Sequence, residues 1–251
     1  MDTGVVKTER DSGTAGRILA AAKELVLKRG VKGVTVAEIA TRAHVGKGTP
    51  YLYWPTKEDL IFDLFAGEFL AFADDGIAAL TADPELCRPN RLCPHLVCCA
   101  LGRPFVRAMV LGDADVLGAL AGHPRSEELL AALSPAALLT AALPLWRRHG
   151  LVRDGWAVEE QAYALHALMV GFSQAITRTQ VPGDLTVTDP VAVMSAAVTA
   201  LLGVQRDGRA DVHAAADEGI GLLSERKEAA SALVTARETE KAKASAPVRR
   251  G

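Results

Sequence analysis

The chain has 251 residues, 49% of them hydrophobic, and a formal net charge of −2. That is enough apolar material for a sizeable core, and the length suits one small and one larger domain. Strand-like alternation of any length is missing and Ala and Leu recur at helical spacing, so the composition predicts an all-α fold.

The first ten residues, MDTGVVKTER, are charged and hold no apolar stretch, so they read as neither a secretory signal nor an anchor. Residues 1–13 are expected to form a flexible, solvated arm. A first helix is predicted from Thr14 to Arg29, with Ile18, Ala22, Leu25 and Val26 as its buried stripe and Gly30 as a left-handed stop.

Between Thr35 and Lys57 the chain reads TVAEIATRAHVGKGTPYLYWPTK. Thr35 is a good N-cap, and Glu38 three residues later completes a capping box. Val36, Ile39 and Ala40 fall on one helical face, leaving Glu38, Thr41 and Arg42 outside. After Ala43-His44-Val45 a second short helix, capped by Gly46, is expected to carry Lys47, Gly48, Thr49, Tyr51 and Tyr53. Two short helices across a three- or four-residue turn form a helix-turn-helix, whose second helix enters the DNA major groove. The side chains suit that use. Lys47 can donate to guanine O6/N7 or to a phosphate, and Thr49, Tyr51 and Tyr53 bring hydroxyls to backbone distance. Gly48 lets the helix backbone approach base edges closely, and Arg42 adds a cation on the outward face. Thr56 then caps a third helix, with Asp59 at the capping-box position. Lys57 sits at that helix's first residue, where amides and ammonium together suit a phosphate.

These residues carry a resemblance. Ile18 to Leu64 resembles the N-terminal domain of the TetR family of transcriptional regulators, through RILAAAKELVLKRG, TVAEIATRA and VGKGTPYLYWPTKEDL. Its most specific parts are Lys47-Gly48-Thr49, Tyr51-x-Tyr53-Trp54 and Lys57-Glu58-x-Leu60. The resemblance implies phosphate contacts at Thr35, Thr49, Tyr51, Tyr53 and Lys57, base-edge contacts at Lys47 and Gly48, and a core position for Trp54. It also implies a homodimer on a palindromic double-stranded operator, with the last two long helices of the larger domain forming a four-helix interface. Three positions depart from the family pattern. His44 replaces a left-handed glycine, which His tolerates. Gly46 replaces a small polar cap. Pro50 replaces a leucine; with Gly46 as cap it is the fourth helical residue, where it removes about one hydrogen bond and predicts a looser or partly 3₁₀ start. Charge agrees with one DNA-facing end: residues 1–60 hold ten Lys/Arg and seven Asp/Glu, whereas residues 61–235 hold thirteen and twenty-one.

Past Leu60 the apolar face continues through Ile61, Leu64, Phe65 and Phe69, so one rod is expected to lead from the reader at residues 14–60 into a helical ligand-binding and dimerisation domain at 61–205. Ala82-Asp83-Pro84, Gly102-Arg103-Pro104 and Gly122-His123-Pro124 punctuate that domain. Ser134 and Pro135 start a helix ending near His149-Gly150. A long helix follows from Gly155 to Thr179, with Leu165, Leu168, Met169 and Phe172 inward, and Val181-Pro182-Gly183-Asp184 breaks it. Asp189 and Pro190 open another helix, to about Leu202. Residues 206–236 are expected to add a C-terminal helix, and 237–251 to form a disordered tail. The most apolar late run, Val191 to Val204, is too short to span a bilayer, and the protein reads as cytoplasmic.

Cys87, Cys93, Cys98 and Cys99 cluster, but no second ligand pair follows the Cys93-x₄-Cys98 spacing, so they read as free thiols rather than a metal or redox site. No Gly-rich phosphate loop, metal-spaced His/Glu set or nucleophile elbow is found, and no cofactor is expected. A mostly apolar cavity is expected among the helices of residues 90–180, with His95, Arg107, Trp146 and His166 as polar anchors for an unknown small-molecule effector. Two readings follow: a dimeric, ligand-released transcriptional repressor, or a helical small-molecule-binding or interaction protein without operator binding.

Overall fold

The computed structural model describes residues 4–178, 187–203 and 209–244. All regular structure among them is helical: α1 (Gly4–Arg29), α2 (Val36–Arg42), α3 (Thr49–Tyr53), α4 (Lys57–Ala82), a 3₁₀ turn (Pro84–Cys87), α5 (Pro89–Gly102), α6 (Pro104–Val110), α7 (Ala114–Ala121), α8 (Ser126–Leu133), α9 (Pro135–Arg148), α10 (Val158–Thr177), α11 (Pro190–Leu202) and α12 (Arg209–Ala244). The fold is all-α, a small N-terminal helix-turn-helix domain followed by a larger helical domain. The chain divides into two compact units. One holds the chain up to Gly67 together with Gly112–Glu127; the other holds Glu68–Leu111 and the chain from Glu128 onward. α4 is a single helix whose sequence belongs to both.

In the first unit Ile18, Ala22, Val26, Ile39, Ala40 and Trp54 are buried, as the 3.6-residue spacing requires. Gly30 ends α1 with φ 72°, its amide returning to the Val26 carbonyl at 2.8 Å. A Cβ there would also come within 2.8 Å of the Asp115 carboxylate, so backbone and neighbour both favour glycine. α1 begins at Gly4, and the expected arm at residues 1–13 is corrected for residues 4–13, which are helical. Gly13 and Gly16 do not stop the helix, because each costs only about 1 kcal/mol relative to alanine.

The second unit packs around Leu92, Cys93, Leu143, Trp146, Leu165 and Val198. Its caps follow local rules: Ser134 Oγ accepts the Ala137 amide and Asp189 Oδ1 accepts the Ala192 amide, each ahead of a proline in the first turn. α10 starts at Val158, not Gly155, because the preceding turn is held in a non-helical shape. Arg147 donates to the Trp156 carbonyl at 2.8 Å, and Gln161 Nε2 donates to the Arg153 carbonyl at 3.1 Å. The Val181–Asp184 breaker lies outside the described residues.

Residues 126–148 have the hydropathy of a membrane span, but the stretch divides at Ser134 into helices of 8 and 14 residues. Each is shorter than the roughly 20 residues a crossing needs. α12 runs to Ala244, so residues 237–244, expected to be disordered, are helical; Ala, Glu and Lys are strong helix formers. Earlier in α12, Arg226 donates to the Ala131 and Ala132 carbonyls near the C-terminus of α8, at 3.1 and 3.0 Å, and Lys227 pairs with Asp74 at 2.5 Å.

Candidate nucleic-acid interface and cavity

The capping box at α2 is complete. Thr35 Oγ1 accepts the Glu38 amide at 3.3 Å, and Glu38 Oε2 accepts the Thr35 amide at 2.9 Å. These hydrogen bonds, with Arg29 Nη1 2.8 Å from Glu38, hold the Glu38 carboxyl at about 2, well below its ordinary 4.5. His44 turns the chain with φ 56°, the one positive-φ non-glycine among the described residues, as its place in the turn requires.

Helix α3 differs from expectation in a way that explains Pro50. It spans only Thr49–Tyr53, with Gly48 rather than Gly46 as N-cap and Pro50 in its first turn. Lys47 and Gly48 therefore lie in the turn leading into the helix, where Thr49 N–H reaches the Gly46 carbonyl at 2.9 Å. First-turn amides have no intrahelical partner, so the missing proline N–H costs nothing there. Pro50 starts the helix instead of loosening it, and its ring is buried.

Thr35, Arg42, Lys47, Gly48 and Tyr51 are exposed, while Thr49, Tyr53 and Lys57 are half-buried. The three cations are not equivalent. Arg42 Nη2 lies 2.5 Å from Glu24 Oε2, and Lys57 Nζ donates to the Val31 carbonyl at 2.7 Å. Lys47 has no partner among the described residues. Lys57, expected at a phosphate, thus first fixes the α1–α2 loop, with its remaining protons left for an anion. Trp54 is in the core, its indole N–H donating to Asp63 at 2.7 Å. The capping box at α4 also forms: Asp59 Oδ2 accepts the Thr56 amide at 3.1 Å and Thr56 Oγ1 accepts the Asp59 amide at 3.1 Å.

Sequence reasoning missed the contribution of Gly112–Glu127 to this unit. Asp115 Oδ2 accepts the Val31 amide at 2.6 Å, so Val31 is held at both its N–H and its carbonyl. His123 is buried, stacks on Phe62 with ring centroids 4.1 Å apart, and brings Nε2 to 3.4 Å from Asp59 Oδ1. Arg125 lies over the same Phe62 ring at 5.3 Å. These partners stand 84 and 64 positions apart in sequence, beyond the reach of any spacing rule. Leu52 on α3 is 67% exposed, beside Tyr51.

The second unit contains a cavity of about 250 Å³, lined among others by Leu80, Leu96, Leu139, Trp146, His166 and Met169. Trp146 and His166 are thus placed together, as expected. His95 and Arg107 are not part of the lining. Arg107 is exposed on α6, whose buried face is Phe105 and Val106, and His95 Nε2 is 3.4 Å from Cys99 Sγ. The four cysteines are free thiols. Burial pushes Cys87 up to about 11 and Cys93 up to about 12, and raises Cys99 with help from Asp75. No cluster of three or more metal-ligating side chains occurs among the described residues.

Residues 18–64 match the family described as "Bacterial regulatory proteins, tetR family". Over these residues the chain is similar to that family. It is 48% identical over 56 residues to the uncharacterized HTH-type transcriptional regulator YdeS of Bacillus subtilis (strain 168), which is 22% of this chain and 28% of that one. Over 58 residues it is 41% identical to the uncharacterized HTH-type transcriptional regulator Mb2274c of Mycobacterium bovis, 23% of this chain and 31% of that one. The chain therefore covers less than a third of the length of these regulators. The fold extends further than the sequence match. The fatty acid degradation regulator FadR of Bacillus halodurans superposes with a TM-score of 0.52 at 19% identity, over 76% of this chain and 97% of its own. A putative tetR family transcription regulator from Shewanella sp. PV-4 gives 0.50 at 19%, over 75% and 95%. At these identities the tetR-type architecture of the larger domain is shared as a fold.

Proposed function

We propose that the chain is a dimeric transcriptional regulator that binds a palindromic operator through residues 35–57 and is released from it by a small molecule. The observation that carries this reading is the exposed set on and before α3. Lys47 and Tyr51 offer donors that no other part of the described protein uses, and Tyr51 is 52% exposed. They sit on a scaffold fixed by two capping boxes, which is the preorganisation a base-reading helix requires. Thr35, Thr49, Tyr53 and Lys57 suit phosphates, and Lys47 with Gly48 suits base edges. Arg42 joins the phosphate set by exchanging Glu24 for DNA.

Dimerisation is supported by apolar exposure on the two helices the resemblance singles out. Tyr163 on α10 is 77% exposed, and Val191 and Val193 on α11 are 40% and 45% exposed. A two-fold axis there would present two readers to half-sites about 34 Å apart. Ligand control is supported by the cavity, and by the chain's passage between the two units within α4, after Leu111 and within α8. A hundredfold loss of operator affinity requires about 2.7 kcal/mol of differential ligand binding. The regulator reading involves no catalysis, and it places the protein in the cytoplasm.

The alternative, a helical binding protein without operator binding, is less favoured because Pro50 sits where a helix tolerates it. Mobility shift on DNA from upstream of the chain's own coding region tests the reading. A retarded band with two chains per site, competed by unlabelled upstream DNA and far less by random DNA, is expected. Equal competition by both would remove the operator, and no shift at low salt would remove DNA binding altogether.

A further inference from the structure

The cavity also carries information about what fills it. Among its described lining residues there is no Lys, Arg, Asp or Glu. The polar groups it does expose are few, and most are spoken for. Ser134 Oγ accepts the Ala137 amide, and Ser173 Oγ donates to the Met169 carbonyl at 2.8 Å. Trp146 hydrogen-bonds Cys87, whose thiol burial keeps protonated at neutral pH. His166 remains. Its imidazole makes no hydrogen bond among the described residues, and it shares the cavity-facing side of α10 with Met169, Val170 and Ser173. Those positions follow at intervals of three, four and seven from His166, one helical face.

We infer that the cavity takes an uncharged, largely apolar molecule of about ten heavy atoms, carrying one hydroxyl or carbonyl oxygen that hydrogen-bonds to His166. The inference deepens the ligand-released reading and rests on its cavity being the effector site. Charge is set by the walls: an ion moved into this lining loses its hydration and meets no fixed counter-charge, which costs several kcal/mol. Size is set by volume. An apolar cavity of about 150 Å³ accepts benzene, so one of about 250 Å³ accommodates roughly ten heavy atoms. The single polar group is set by inventory. An imidazole offers one donor and one acceptor in its neutral form, matching either a hydroxyl or a carbonyl. Acyl carriers with phosphate groups are excluded from the cavity itself by the same argument.

Three probes built on one ring system separate these claims: 1-naphthol, naphthalene and 1-naphthoate, titrated into the full chain at pH 8 by calorimetry without DNA. The expected order is 1-naphthol about fivefold tighter than naphthalene, from one buried hydrogen bond, and 1-naphthoate at least tenfold weaker than 1-naphthol. His166→Phe should abolish the preference for naphthol while leaving naphthalene affinity within twofold. Ala142→Phe, which fills part of the lining, should remove binding of both. Naphthoate binding as tightly as naphthol, a naphthol preference that survives His166→Phe in a folded variant, or no binding by any probe would each overturn the inference. The order in the unaltered chain still tests the charge and the single polar group if both variants fail to fold. A chain that binds naphthol in this order but no DNA keeps the cavity assignment and removes the regulator. A chain that binds its operator but none of the probes does the reverse.

Discussion

His44 and Glu38 show how much of the reader rests on single side chains. A left-handed backbone at a non-glycine residue costs about 1–2 kcal/mol, and His44 adopts it at φ 56°. Part of that strain is offset by the greater unfolded-state freedom of glycine. His44→Gly should therefore stabilise the chain by about 0.5–1 kcal/mol in urea melts, with the turn and DNA affinity preserved; a destabilised variant would mean that the imidazole holds the turn. Glu38 makes the opposite kind of contribution. Its folded pKa, about 2, lies below the ordinary 4.5, so the stabilisation it supplies is present above pH 4.5 and is lost as pH falls toward 2. Glu38→Gln keeps the acceptor of the capping box but not the charge. Urea midpoints should therefore fall less steeply between pH 4.5 and pH 2 in that variant than in the parent, and parallel curves would remove Glu38 from the acid response.

At the scale of elements, α7 and its flanking turns are the part of the reader unit that only the structure reveals. Asp115 accepts a part-buried backbone amide of Val31, and losing such an acceptor costs about 1–3 kcal/mol. Asp115→Ala should destabilise the chain by that amount and speed hydrogen exchange at the Val31 amide; unchanged exchange would show that Asp115 is dispensable to the α1–α2 loop. The contrast with α2 explains what the sequence could and could not disclose. The Thr35–Glu38 box, the His44 turn, the Ser134-Pro135 and Asp189-Pro190 starts and the Gly30 stop obey rules spanning three or four residues, so they were readable. Asp115 and His123 act across 84 and 64 residues, and nothing in their neighbours encodes the partner. Pro50 was misplaced for a subtler reason. Fixing the cap at Gly46 puts the proline one turn too deep, whereas the Gly46–Thr49 turn moves the cap to Gly48. In the cavity, Trp146 and His166 were legible as polar groups on apolar faces. Arg107 was not excluded, because its direction depends on how α6 buries Phe105 and Val106.

On the scale of the whole molecule, charge is divided along the chain. Residues 1–60 carry the excess of Lys and Arg, ten against seven acids, and residues 61–235 carry the excess of acids, twenty-one against thirteen. In the proposed regulator the basic residues favour DNA and the acidic excess elsewhere does not. The cavity and the exposed apolar residues of α10 and α11 lie in the second unit, so in the proposed regulator operator choice and effector choice rest on different residues. The central claim is that Lys47 and Tyr51 engage DNA directly. Fluorescence anisotropy of the chain on its own upstream DNA and on a random duplex, from low to moderate salt, tests it most directly when Lys47→Ala and Tyr51→Phe are measured beside the parent. Lys47 is the cleaner probe than Lys57, because Lys57→Ala would also release the Val31 carbonyl. The account predicts that Lys47→Ala loses roughly 1–3 kcal/mol on the operator and less on the random duplex, while Tyr51→Phe weakens both alike. Parent and variants sharing one affinity and one salt slope on both duplexes would contradict it.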